Sequence, residues 1–250
     1  MGSISKPDQL EICAETRTGS RDVNEDSYAI VDGPELAPSV LGLIAVADGI
    51  GGLGSGHIAS STTLTTISDT FRRLMATHSS GVPPIHDWLS FCFHKANSDV
   101  LRMGLVLPKL KGMGSTCTCA VVTQSHVYLC HVGDSRAYLW REATLRQLST
   151  DEWFNGLRQP DNPRKHKAVT LVNQAIGWQP TISPAKSVEP IRRGDTIILC
   201  TDGLTDNLTT IEIESILAAG NDLSQTCRDL ADEASGKTGA DNVTVVMARL

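Results

Sequence analysis

Four strand-like runs, "STCTCAVV", "HVYLCHVG", "RAYLW" and "TLRQLS", follow one another between residues 115 and 149 with very short connections. Parallel neighbours need a crossover of a dozen or more residues, so these runs must pair antiparallel. That constrains the fold more than any other feature of the chain. Further strand-like runs flank the group: "LEICAET", "SYAIV" and "VLGLIAVAD" before it, "DTIILC" and the terminal "NVTVVMARL" after it. Between the early and middle strands the apolar period changes to that of a helix. From Ser55 to about Met75, Leu64, Ile67, Phe71, Leu74 and Met75 share one face; from about Ile85 to Met103, Ile85, Trp88, Leu89, Cys92 and Ala96 do the same. "SSGVPP" separates the two. Thr209 with Glu212 has the form of a capping box, and Asp222 with Gln225 resembles a second helix start. Runs of strands and runs of helices, rather than strict alternation, predict an α+β fold with helices packed on antiparallel sheets. With no repeat or linker to divide it, the chain reads as a single domain over residues 1–250. Residues 151–185 are basic and interrupted by proline and read as an excursion over the surface.

The apolar runs end repeatedly on carboxylates. Asp48 closes "LIAVAD", Asp134 follows "VYLCHVG", Asp202 follows "TIILCT", Asp241 opens the last strand, and Glu25 with Asp26 stands just ahead of "SYAIV". Each lies where a sheet meets water. If those ends come together, the carboxylates repel one another unless cations fill the cluster. Oxygen ligands without His or Cys select hard ions, Mg²⁺ or Mn²⁺. Taken singly, Asp-Gly is an ordinary turn dipeptide, and aspartates collect at strand ends for capping alone; the set is more informative than its members.

"DGIGGLG" also contains G-x-G-x-x-G, from Gly49 to Gly54, the form of a dinucleotide-binding turn. Such a turn needs a β-α-β unit, with an acidic residue at the end of its second strand. Here Asp69 lies inside the helical segment, a second helix follows, and Asp48 would stand beside a pyrophosphate. The glycines instead suit a tight turn that aims the Gly49 carbonyl at the same cation as Asp48 and lets a helix pack closely behind.

These residues form an ordered series: R-x-x-N-E-D-S from Arg21, A-D-G-I-G-G from Ala47, M-G-S-T from Met113, G-D-S-R-A-Y from Gly133, L-S-T-D from Leu148, A-I-G from Ala175, T-D-G-L-T-D from Thr201 and D-N-V-T from Asp241. The chain thereby resembles the metal-dependent protein phosphatases of the type 2C family, in the short bacterial form, from about Glu11 to the C-terminus. The resemblance implies a four-layer αββα sandwich of two antiparallel sheets flanked by helices. It implies that Asp48, Asp202 and Asp241 ligate one ion. Asp48 would bridge to a second ion, served also by the Gly49 carbonyl and Glu25, and Asp134 with Asp202 would hold a third in bacterial members. Arg21 takes the place of the arginine that binds substrate phosphate, and 151–185 that of a flap near the active site. Three positions depart from the pattern: one residue rather than two separates Gly19 from Arg21, Ile50 stands where a histidine or methionine is common, and His57 where Glu or Gln is common.

The implied reaction is hydrolysis of phosphoserine and phosphothreonine in proteins, by a hydroxide bridging Mn²⁺ or Mg²⁺ ions that attacks phosphorus in line. A thiol mechanism is disfavoured because no cysteine heads a C-x₅-R loop, and Cys117 and Cys119 read as core residues on one strand face. The rival from another class is a phosphatase-like domain that binds a phosphoprotein or nucleotide without turnover; intact Asp48, Asp202 and Asp241 argue against it. Expected partners are phosphorylated proteins, including a Ser/Thr kinase or its targets. A net charge of -6 argues against general nucleic-acid binding. No run approaches the ~18 apolar residues of a membrane span, and "MGSISKPDQL" has neither an apolar signal core nor, with Lys6, the myristoylation pattern. Seven cysteines scattered through apolar segments suit reduced thiols in the cytoplasm, and the chain is expected to be a monomer.

Overall fold

The computed structural model describes residues 10–34, 36–52, 54–78, 83–152, 172–220 and 222–250. Most of the expected flap, with Arg158, Arg164, Lys165, His166 and Lys167, lies outside the described residues. The strands are β1 (Glu11–Arg17), β2 (Asp26–Val31), β3 (Val40–Ile50), β4 (Gly114–Ser115), β5 (Cys117–Thr123), β6 (His126–Val132), β7 (Arg136–Arg141), β8 (Thr144–Gln147), β9 (Ala185–Pro190), β10 (Thr196–Cys200) and β11 (Val243–Arg249). The helices are α1 (Ser55–Thr77), α2 (Ile85–Val106), α3 (Asp202–Thr205), α4 (Thr210–Ala218) and α5 (Leu223–Ser235).

One sheet runs β1-β11-β10-β7-β8 and the other β2-β3-β5-β6-β9, with β4 paired to the end of β3. Every pairing is antiparallel. The alternation of side chains along each strand sorts the core into three apolar layers. On β3, Leu43, Ala45 and Ala47 face α1 and α2, while Ile44 and Val46 face the other sheet. On β11, Val243, Val245 and Met247 face α5, while Val246 and Ala248 turn to the centre. The result is four layers, helix–sheet–sheet–helix, as expected.

The helices are held mainly by their buried faces. α1 has no side-chain cap and begins at Gly54 in the left-handed region, but buries Leu64, Ile67, Phe71 and Met75. Truncating a fully buried phenylalanine such as Phe71 costs about 3–5 kcal/mol, more than any cap supplies. The capping box on α4 is present: the Thr209 hydroxyl accepts from Glu212 N, and the Glu212 carboxylate accepts from Thr209 N. Asp222 caps α5 by accepting from Gln225 N at 2.8 Å. No described helix is long and apolar enough to cross a membrane.

All seven cysteines are free. Cys92, Cys117, Cys119 and Cys130 sit in the layer under α1 and α2, and burial pushes Cys92 and Cys130 up to about 12, which keeps them protonated and inert. His131 is likewise a core-strand residue. Its Nδ1 is 2.8 Å from the Thr118 hydroxyl, and burial pushes it down to about 4.

Three elements go beyond the sequence reading. β9 forms where the excursion was expected to end, pairing with β6 from His131↔Ala185 to His126↔Pro190. It is an exposed edge strand with only Val188 as a branched apolar residue, so it carries no alternation to detect. Ala175 and Ile176, also inside that excursion, are fully buried, and Ile176 bridges to Ser115. The four-residue α3 is too short for periodicity to reveal.

Candidate active site

The ends of both sheets meet at one end of the sandwich. β3 delivers Asp48, and the loop before β2 delivers Glu25. The loop after β1 delivers Arg21, the turn after β6 Asp134, the start of α3 Asp202, and the loop before β11 Asp241. Arg21, Glu25, Asp48, Gly49, Ile50, Asp241 and Asn242 are among the residues lining a cleft of about 540 Å³. Asp134 and Asp202 are not among its lining residues, but both lie near enough for their charges to act on Asp48.

Glycines make the convergence possible. A Cβ on Gly49 would fall 2.0 Å from the Gly56 carbonyl oxygen, and one on Gly56 would fall 2.5 Å from the Gly49 carbonyl oxygen. The first turn of α1 therefore lies directly against the end of β3, as expected of this turn. Gly56 N then donates to Glu25 Oε1 at 2.9 Å, and Gly49 N to the Glu25 carbonyl at 3.1 Å. On the opposite sheet a Cβ on Gly203 would fall 1.9 Å from the Asn242 carbonyl oxygen, so the chain beside Asp202 is pressed against the loop that carries Asp241.

Asp26, noted in the sequence only beside Glu25 and given no role of its own there, is central to the site. It pairs with Asp48 in the β2–β3 register and is buried. Its Oδ2 accepts from the hydroxyls of Thr201 and Thr244, each at 2.8 Å, and so ties the two sheets together. Its Oδ1 is buried with no hydrogen-bond partner. Burial, with the charges of Asp202 and Asp241 and against the two hydroxyls, pushes Asp26 up to about 7. Burial together with Asp26, Asp202, Asp134 and Asp241 holds Asp48 well above the usual carboxylate range. Asp26, Asp202, Asp134 and Asp241 therefore lie near enough for their charges to act on Asp48, which concentrates negative charge at the end of β3.

The nearest described cation is Arg21, whose guanidinium donates to Asp241 Oδ2 at 2.5 Å. Among the described residues, no three or more His, Cys, Asp or Glu side chains are drawn tightly enough to grip an ion as they stand. The donors are all oxygen, and one buried carboxylate oxygen is orphaned, which fits hard divalent cations.

The remaining motif residues are the scaffold of this site. Asn242 accepts from Glu25 N at 2.8 Å and donates to the carbonyls of Thr18 and Val23, which fixes the Arg21 loop. Thr116 Oγ1 accepts from Asp48 N at 2.9 Å. The sequence contained the signal for them, since each lies inside a motif: Asn242 and Thr244 in D-N-V-T, Thr116 in M-G-S-T, Thr201 in T-D-G. Ile50 lines the cleft, whereas His57 is exposed on the first turn of α1 and outside its lining.

The model of the family described as "Protein phosphatase 2C" matches residues 16–238. The serine/threonine phosphatase stp of Listeria monocytogenes serotype 4b is 30% identical over 230 residues, covering 90% of this chain and 89% of the relative. Among solved structures, the S. agalactiae serine/threonine phosphatase superposes with a TM-score of 0.85 at 27% identity, covering 96% of this chain and 99% of the other. The catalytic domain of the serine threonine protein phosphatase PstP, in complex with 2 manganese ions, gives a TM-score of 0.78 at 28% identity, covering 96% and 97%. This chain belongs to the protein phosphatase 2C family. Its activity is metal-dependent dephosphorylation of proteins at serine and threonine.

Proposed function

We propose that Asp48, Asp202 and Asp241 ligate one Mn²⁺ or Mg²⁺ ion, that Asp48, the Gly49 carbonyl and Glu25 serve a second, and that Asp134 with Asp202 serves a third. The observation that carries this reading is the gathering of Glu25, Asp48 and Asp241 on one cleft, with Asp134 and Asp202 near enough for their charges to act on Asp48. Two manganese ions in the related PstP catalytic domain support the choice of metal. The bound ions supply positive charge against the phosphoryl oxygens and lower the pKa of a coordinated water toward neutrality.

The chain's own residues do the rest. Arg21 stands exposed at the rim, where a planar guanidinium can take two phosphoryl oxygens at once. Its present partner is Asp241; were Asp241 to hold an ion instead, the guanidinium would be released toward the substrate phosphate. Ile50 has no proton to give, so the departing serine or threonine oxygen takes its proton from water in the cleft.

The substrates are phosphorylated proteins, among them a Ser/Thr kinase or its targets, met by a monomer in the cytoplasm. Hydrolysis of phosphoserine, phosphothreonine and phosphotyrosine peptides across an Mn²⁺ titration tests the reading. It predicts turnover of the first two that EDTA abolishes. Tight phosphopeptide binding with no turnover at any metal concentration would make the chain a binder instead.

A further inference from the structure

Glu152 lies at the root of the 153–171 segment, and each of its polar groups is engaged. Its N–H donates to the Gly133 carbonyl at 2.8 Å, and its Oε2 accepts from Gly133 N at 3.0 Å. Its carbonyl accepts from Asn173 N at 2.7 Å, and its Oε1 accepts from Gln174 Nε2 at 3.0 Å. One residue thus fastens the chain leaving β8, the chain returning to β9, and the turn that carries Asp134.

The network continues inward. Ser135, two residues beyond Gly133, places its hydroxyl 2.7 Å from Thr116 Oγ1, and Thr116 Oγ1 accepts from Asp48 N at 2.9 Å. Thr116 N in turn donates to the Asp48 carbonyl at 2.9 Å. A continuous path of hydrogen bonds and two peptide units therefore joins Glu152 to the backbone of Asp48, with Asp134 inside it.

The donor and acceptor pattern requires a carboxylate. Gln174 cannot turn its amide over, because its Oε1 accepts from Ser183 N at 3.0 Å while its Nε2 donates to the Ser183 carbonyl at 2.9 Å. Nε2 must therefore face Glu152, and Gly133 N faces the other carboxylate oxygen. A glutamine at 152 would set its NH₂ against one of two donors.

We infer that Glu152 is a positioning residue for divalent-ion binding: it holds the Asp134 turn, and through Ser135 and Thr116 the Asp48 strand end, in the arrangement that the ions require. This rests on the ligand set proposed above. Groups hydrogen-bonded directly to metal ligands typically change metal affinity by roughly 10–100-fold; Glu152 acts through the Gly133–Ser135 backbone, so the low end of that range is expected. The test is Glu152→Gln in the full chain, with Mn²⁺ binding measured directly by electron paramagnetic resonance of the free ion, beside phosphopeptide kinetics. The expected result is metal affinity weakened about tenfold, with kcat at saturating Mn²⁺ close to that of the parent. Gln174→Met, which removes the donor to Glu152 along with the two hydrogen bonds to Ser183 and leaves Glu152 in place, shifts affinity the same way by less, and serves if the first variant does not fold. Parent affinity in both folded variants overturns the inference. So does an unchanged affinity with a lowered kcat. Failure of the parent chain to bind Mn²⁺ would instead remove the ligand assignment itself.

Discussion

Two of the places where this molecule buries carboxylates at the ends of strands solve the problem of burial differently. Asp151 lies against Arg136, with N–O distances of 2.6, 2.8 and 3.0 Å and side-chain exposures of 7% and 10%. Every charge there has its partner, and Arg136 also donates to the Tyr138 hydroxyl at 3.1 Å. Asp26 is as deeply placed and Asp48 is half-buried at the cleft, but both face other carboxylates, and one oxygen of Asp26 has no hydrogen-bond partner at all. A matched buried pair is complete in itself and belongs to the architecture. An unmatched buried cluster is complete only with something else bound. The difference separates structural from functional carboxylates where residue type and location cannot.

The largest effect expected from this contrast is catalytic. Asp48→Asn should lower kcat/KM on phosphopeptides on the order of 10³-fold, ~4 kcal/mol of transition-state stabilisation, while the metal-free protein unfolds no earlier than its parent because a repulsive charge has gone. Asp151→Asn should do the reverse. It leaves Arg136 buried without its countercharge and costs about 3 kcal/mol of stability in denaturant unfolding, with and without Mn²⁺. Equal loss of stability in both variants would erase the distinction. Removing metal sharpens it further: Mn²⁺ at about a hundred times its dissociation constant should stabilise the parent by about 2.7 kcal/mol, EDTA should reverse this, and Asp48→Asn should show neither change.

The smallest effect concerns a third way of burying an ionisable group. His131 is kept neutral, with its pKa pushed down by burial to about 4 from an ordinary value near 6.5. The unfolded chain binds this proton first, so the contribution to stability is present above about pH 6.5 and is lost as pH falls toward 4. At pH 5 the loss is about 2 kcal/mol. Comparing the pH dependence of unfolding in the parent and His131→Gln, both without metal, should show a difference of that sign; parallel curves would contradict it.

How much of this was legible in the sequence depended on the range of the signal. Strand alternation and the helical faces of α1 and α2 are local patterns, and they placed the layers. The carboxylates at strand ends were visible as a recurring context, and the ordered motifs joined them into one site. Asp26 was seen only as the neighbour of Glu25. Adjacent residues at a strand start point to opposite sides, and nothing in "NED" says which one turns into the core. β9 escaped because an exposed edge strand needs no apolar face, only a partner, and that partner, β6, lies more than fifty residues earlier in the chain. Glu152 escaped because its role consists entirely of contacts with residues distant in the chain, Gly133 and Gln174.

The central claim is that the carboxylates gathered around Asp48 are a divalent-cation site. Counting bound Mn²⁺ by electron paramagnetic resonance, in the parent chain and in Asp48→Asn, tests it most directly. The account predicts about two tightly held ions per parent chain and loss of tight binding in the variant. Equal binding by both proteins, or no binding by either, would contradict it.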